Sequence, residues 1–197
     1  MAERDNRRSH AEILSRRIAA ERARILERAW AFFHDGEYRR AICLFEAAQA
    51  AGPEDPEAAV GTICSAMADG SKHLAFTVLS RVMESGQSVF DVDVDLRSRH
   101  ADPEFVATVL STSRRNARRD PENVTLAAMA AFLGWFAGEQ DEALRVAERI
   151  YEEHRTSPFA SMAATMRGED VPQQDNGVKE GASKLPPFSL NPGESDF

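Results

Sequence analysis

The chain has 197 residues, a formal net charge of -8 and 43% hydrophobic residues. That length allows one ordinary domain plus tails, the apolar content excludes disorder throughout, and the negative balance restricts any nucleic-acid binding to a local patch. Two cysteines, Cys43 and Cys64, with no C-x-x-C pair, exclude a disulfide-built secreted scaffold and fit a reducing compartment.

The first residues, Met-Ala-Glu-Arg-Asp-Asn-Arg-Arg, lead into a charged segment with no apolar core, so no secretory signal is expected. Ser9 with Glu12 three residues later predicts a capping-box start. From there to His34 the chain has no Gly or Pro, which predicts one long helix with a stripe of Leu14, Ile18, Ile25, Ala29 and Phe33. Residues 1–20 read as a charged helical extension, and 21–34 as the first helix of a pair.

Asp35-Gly36 predicts the turn, because glycine takes the positive φ that ends a helix. A second helix over 38–50 stops at Gly52-Pro53. Glu54-Asp55-Pro56-Glu57 opens the next unit, with Pro tolerated at a first helical position. Helices over 58–68 and 72–84 form pair two, joined by Asp69-Gly70. Residues 85–100 contain Val-Phe-Asp-Val-Asp-Val-Asp-Leu, whose period of two predicts an extended segment. Asp102-Pro103-Glu104 restarts a helix carrying Phe105, Val106, Val109 and Leu110 on one face, which ends at Asp120-Pro121. Segments 121–138 and 141–153 form a further pair. The apolar run 124–138 is shorter than the roughly 20 residues of a membrane span and reads as a buried helix. Ser157-Pro158 opens a short helix with Phe159, Met162, Ala163 and Met166 on one side, suited to capping a stack. From Arg167 onward Gly, Pro, Gln, Asn, Ser and charge dominate, which predicts a disordered tail over 167–197.

One spacing recurs. Gly36 is followed at steps of five, four and three by Ala41, Phe45 and Ala48; Gly70 by Ala75, Leu79 and Val82; Gly138 by Ala143, Ala147 and Ile150. Gly36 and Gly70 are 34 residues apart, and Gly70 and Gly138 are 68, twice that interval. A period near 34 built on helix–turn–helix units is the mark of a helical repeat array. The predicted fold is all-α: an α-α superhelix of stacked pairs over 21–166, whose third unit is degenerate, with an extended segment in place of its first helix.

The carriers Gly36, Tyr38, Ala41, Phe45, Ala48 and Pro53, then Gly70 and Ala75, then Gly138, Ala143 and Leu144, resemble the tetratricopeptide repeat family. Val94-Asp95-Leu96-Arg97, followed by Asp102-Pro103-Glu104-Phe105 and Asp120-Pro121, also resembles divergent repeat proteins of planctomycete-type bacteria. The resemblance implies a right-handed superhelix, non-catalytic, binding peptides or partner helices in a concave groove lined by the first helix of each pair. The corresponding residues are Leu26, Trp30 and Phe33, then Val60, Cys64 and Met67, then Phe132, Trp135 and Phe136. The bland alternative is that they pack the core, as aromatics at helical spacing usually do. Family members that clamp a C-terminal carboxylate use Lys and Asn on these faces; Trp, Phe, Met and Cys stand here, so no such clamp is carried over.

Other constellations are weaker. Leu185, Phe188 and Leu190 form the tail's one apolar cluster and a candidate groove ligand, stiffened by prolines; an incidental cluster is the alternative. Asp91, Asp93 and Asp95 alternate like the start of a calcium loop, but Leu96 stands where the EF-hand needs Gly and Asp102 where it needs Glu, so no metal is expected. Arg114, Arg115, Arg118 and Arg119 are a candidate basic patch for phosphate, or cations offsetting a helix dipole. The N-terminal arginines with Ile13, Leu14 and Ile18 suit a membrane-surface helix or, better, a helix pairing with another chain or folding onto the first repeat. Five scattered histidines show no ligand spacing, and neither a phosphate loop nor a nucleophile elbow is present.

The reading expected from the sequence is a cytoplasmic, non-catalytic scaffold or adaptor. It binds a protein or peptide partner through an apolar groove, without cofactor, nucleic acid or integral membrane association. A homo-oligomer built on the N-terminal helix is the runner-up, and an anion binder working through the Arg clusters is the third reading.

Overall fold

A computed structural model of the chain describes residues 2–52 and 55–169, with side chains from Glu12 onward. Among the described residues there are nine helices and no strand: α1 (Ala2–His34), α2 (Tyr38–Ala51), α3 (Pro56–Asp69), α4 (Lys72–Ser85), α5 (Leu96–Arg99), α6 (Pro103–Arg119), α7 (Val124–Phe136), α8 (Gln140–Glu153) and α9 (Met162–Met166). None of the described helices is long and apolar enough to cross a membrane.

The three turn glycines occupy equivalent bends. Gly36, Gly70 and Gly138 end α1, α3 and α7 with φ of +76°, +83° and +81°. The Gly36 N–H donates to the Phe33 carbonyl (3.1 Å) and the Glu37 N–H to that of Phe32 (2.8 Å). Gly138 and Glu139 repeat this on Trp135 (3.2 Å) and Gly134 (2.9 Å). These are Schellman motifs, which satisfy the last carbonyls of a helix and need a left-handed residue. Gly70 makes only the first of the two bonds, to Met67 (3.3 Å). All nine residues of the five-four-three series are buried, because each second helix leans that face against its neighbours.

Consecutive helices pack in order, α1 on α2, α2 on α3, α3 on α4, and again α6 on α7, α7 on α8, α8 on α9. The helix α3 is enclosed almost all round, with residues 58–66 buried. Gly61 is where α2 comes closest: the Phe45 ring occupies the space a Cβ would need. The start of α3 is fixed by Asp55, whose carboxylate accepts from the Ala58 N–H (3.2 Å) and from Arg22 Nε on α1 (2.9 Å).

Four sequence expectations are corrected. The helix α1 begins at Ala2, so Ser9 lies inside it and not at its cap; residues 2–8 contain helix-favouring Ala, Glu and Arg and no breaker. The helix α7 begins at Val124, not Pro121, because Asn123 is the cap that accepts from the Leu126 N–H (3.4 Å). The stretch 157–161 is turn, and α9 starts only at Met162, although Phe159, Met162, Ala163 and Met166 are buried as a cluster. Finally, residues 87–95 are neither helix nor strand, and the last part of the expected extended segment forms α5, with Asp95 accepting from the Arg97 N–H (3.0 Å).

That irregular segment is pinned by aromatics. The Phe90 ring meets Phe132, Trp135 and Phe136 of α7 at centroid distances of 5.9, 5.6 and 6.1 Å, and the Trp135 indole N–H donates to the Phe90 carbonyl (3.2 Å). The Ala101 N–H then donates to the His34 carbonyl at the end of α1 (3.2 Å). The chain between α4 and α6 is therefore held against the C-terminal ends of α7 and α1.

Candidate functional site

The residues expected to line a groove are mostly interior. Leu26, Trp30, Phe33, Val60, Cys64, Phe132 and Phe136 are each at most 8% exposed. As placed, they pack between helices. Trp30 shows why: its ring lies edge-on to Phe45 (4.8 Å) and Phe33 (5.5 Å), Arg99 covers it at 5.2 Å, and its indole N–H donates to Glu57 Oε1 (2.8 Å). Burial pushes the Cys64 thiol far above its ordinary pKa, so it stays protonated. Of the nine, only Met67 and Trp135 are half-exposed.

Met67 borders an opening accessible from solvent. A cleft of about 130 Å³ lies between the end of α3, the first turns of α4, the middle of α6 and the start of α7. It exists because the chain after α4 runs off to the far ends of α7 and α1, so no helix fills the space between α4 and α6. Its apolar wall is Met67, Phe76, Val109, Leu126 and Met129. Its polar wall is Lys72 from α4 and Thr108, Thr112, Ser113 and Asn116 from α6.

Ser113 is the unusual member. It is only 5% exposed and its hydroxyl has no hydrogen-bond partner. A buried, unpaired hydroxyl costs about 1–3 kcal/mol. The void approaches the roughly 150 Å³ that accepts benzene in an apolar core. It is sized for one large apolar side chain.

The cations around the cleft are sorted by helix geometry. At 100° per residue, Arg115 and Arg119 fall on the side of α6 that carries Thr108, Thr112 and Asn116, while Arg118 turns away. Arg114 faces α7 and is paired with Glu139 (2.6 Å), which also holds Arg97 (2.8 Å). The four arginines are therefore not one basic face. Arg115, Arg118 and Arg119 are exposed and make no ion pair among the described residues. Lys72, exposed on α4, lines the cleft beside its apolar wall.

Two further polar groupings are structural. His100 is buried; its Nδ1 takes the Asp102 N–H (2.9 Å), which in the neutral ring leaves Nε2–H to donate to Tyr38 Oη (2.7 Å). Its ring stacks on Phe105 (4.9 Å) and meets Phe33 edge-on (5.4 Å). Burial, and then the Asp102 charge, raise the Tyr38 pKa. This cluster latches α2 to the start of α6. Of the alternating aspartates, Asp95 caps α5 and Asp91 accepts from the Ser88 hydroxyl. Pro53 and the tail cluster Leu185, Phe188 and Leu190 lie outside the described residues.

Sequence reasoning missed the cleft. The available signal was the α6 stripe Thr108, Val109, Thr112, Ser113, Asn116, small and hydroxylic where a core face would be aliphatic. No protein-family model, curated protein or solved structure matches the chain.

Proposed function

We propose that the chain is a non-catalytic scaffold of tetratricopeptide-like helix pairs that binds a segment of another protein at the cleft between α3–α4 and α6–α7. The repeat reading is supported by the equivalent bends at Gly36, Gly70 and Gly138 and by the burial of the same three positions after each. In this reading the third unit has lost its first helix, and residues 86–99, led elsewhere by Phe90, leave the cleft in its place. The observation that carries the binding role is the cleft itself, an open, mainly apolar void of about 130 Å³ with Lys72 in its wall. The preferred ligand is an extended or helical segment with one large apolar side chain, a hydrogen-bond acceptor beside it, and carboxylates within reach of Lys72, Arg115 and Arg119.

The test is a peptide-display selection on the full chain. Peptides should converge on an apolar residue flanked by acids, and Thr112→Trp, which fills the cleft from a half-buried position, should weaken them at least tenfold. Equal binding to Thr112→Trp would overturn the assignment.

A second reading is favoured by one observation. Ile13, Leu14 and Ile18 of α1 are 48%, 55% and 53% exposed, which suits self-association through the N-terminal helix. The anion-binding reading rests on the exposed Arg115, Arg118 and Arg119 of α6 together with the arginines of α1, of which Arg16 and Arg17 are exposed, and predicts phosphate-ligand binding that collapses as salt rises.

A further inference from the structure

The cleft has a candidate occupant in this chain's own sequence. We propose that residues 185–190, Leu-Pro-Pro-Phe-Ser-Leu, dock there with Phe188 against Met67, Phe76 and Met129, so that the chain covers its own binding site. The inference rests on the reading of the cleft as a protein-segment site.

Three observations support it. The first is chemical fit: the segment supplies one aromatic side chain for a void of about 130 Å³ walled by Met67, Phe76, Val109, Leu126 and Met129. Pro186 and Pro187 pre-extend the segment, so less conformational entropy is lost on docking. The second is charge: residues 185–197 carry Glu194 and Asp196 and no cation, while Lys72 lines the cleft and Arg115 and Arg119 fall on the same side of α6 as its lining residues Thr108, Thr112 and Asn116, none of the three cations with an ion-pair partner among the described residues. The third is reach. Nineteen residues lead from Glu169 to Phe188, and at about 3.3 Å each they extend to about 60 Å, against a radius of gyration of about 15 Å for a compact body of this size.

The experiment uses the full chain with Phe188 replaced by the photoreactive residue p-benzoylphenylalanine, irradiated at low micromolar concentration. The expected product is an adduct within one chain on Met67, Val109 or Met129, located by mass spectrometry and lost when Thr112→Trp is added. Adducts scattered over the surface, or joining two chains, would overturn the proposal. In a parallel measurement, a labelled peptide of residues 184–197 should bind the Phe188→Asp chain at least tenfold more tightly than the unaltered chain, because the competing segment has been disabled. Equal affinity for the two counts against it. The display selection separates the two claims: if selected peptides fill the cleft of Phe188→Asp while the benzophenone misses it, only the tail assignment falls. If neither occupies the cleft, both readings fall.

Discussion

Trp30 stands for a whole class of residues in this chain. Its position on the first helix of a pair marks it in sequence as a groove aromatic, yet its ring is enclosed by Phe33, Phe45 and Arg99 and its N–H is spent on Glu57. Trp30→Ala should therefore cost about 3–5 kcal/mol of stability, as truncation of a buried aromatic does, and leave Glu57 without its donor; a loss of unfolding free energy of less than about 1 kcal/mol, measured by urea denaturation, would contradict the placement. The two thiols make a second check. Cys43 is exposed, whereas Cys64 is buried and held protonated, so a disulfide reagent at mild alkaline pH should titrate one thiol quickly and the second only on unfolding. Rapid reaction of both would place Cys64 at a surface. Helical periodicity names the face of a helix but not what covers it, and that is why these residues could be grouped from sequence and not assigned. Leu26, Trp30 and Phe33 share a face because of their spacing; that the face is closed depends on α2, α3 and α5, which only the packed structure supplies.

Elements were more legible where local chemistry alone decides them. Asp-Gly and Ala-Gly at the ends of α1, α3 and α7 specify left-handed caps without help from distant residues, and Asp55-Pro56 and Asp102-Pro103 specify two helix starts through a side-chain acceptor and a preset φ. The starts of α7 and α9 were misplaced because Pro121 and Pro158 are equally good turn residues, and the choice fell to Asn123 and to the burial of Phe159. The segment 87–95 was illegible for another reason: an alternating pattern needs a neighbouring strand to become one, and its partner is the aromatic end of α7. The capped turns carry a quantitative prediction. Gly36→Ala and Gly138→Ala each place a Cβ in the left-handed region, at about 1–2 kcal/mol, which for a chain of this length lowers the melting temperature by about 2–8 °C. Gly70→Ala should fall in the same range, since its φ is the same although it makes only the first of the two cap bonds. Unchanged melting temperatures for all three would mean the bends are not equivalent.

For the molecule as a whole, α1 poses the remaining problem. Residues 12–21 are all exposed, and burial then begins with Arg22, Ile25 and Leu26, so residues 12–21 of this 33-residue helix take no part in the stack. A helical stretch of that length is marginal in water without packing, and this one shows Ile13, Leu14 and Ile18 to solvent within an arc of about 140°. Covering three such side chains is worth roughly 1.5–3 kcal/mol each when complete, enough to hold two extensions together once the cost of association is met. Arg17 and Glu21 fall inside the same arc, which suits a pairing of two charged helices better than insertion into an acyl layer. Sedimentation equilibrium at tens of micromolar should thus report a species heavier than one chain, and Leu14→Glu with Ile18→Glu should return it to the monomer mass without altering the urea midpoint of the stack. A monomeric unaltered chain whose amides over 12–21 exchange with solvent at unprotected rates would remove self-association and leave the cleft as the favoured interface among the described residues.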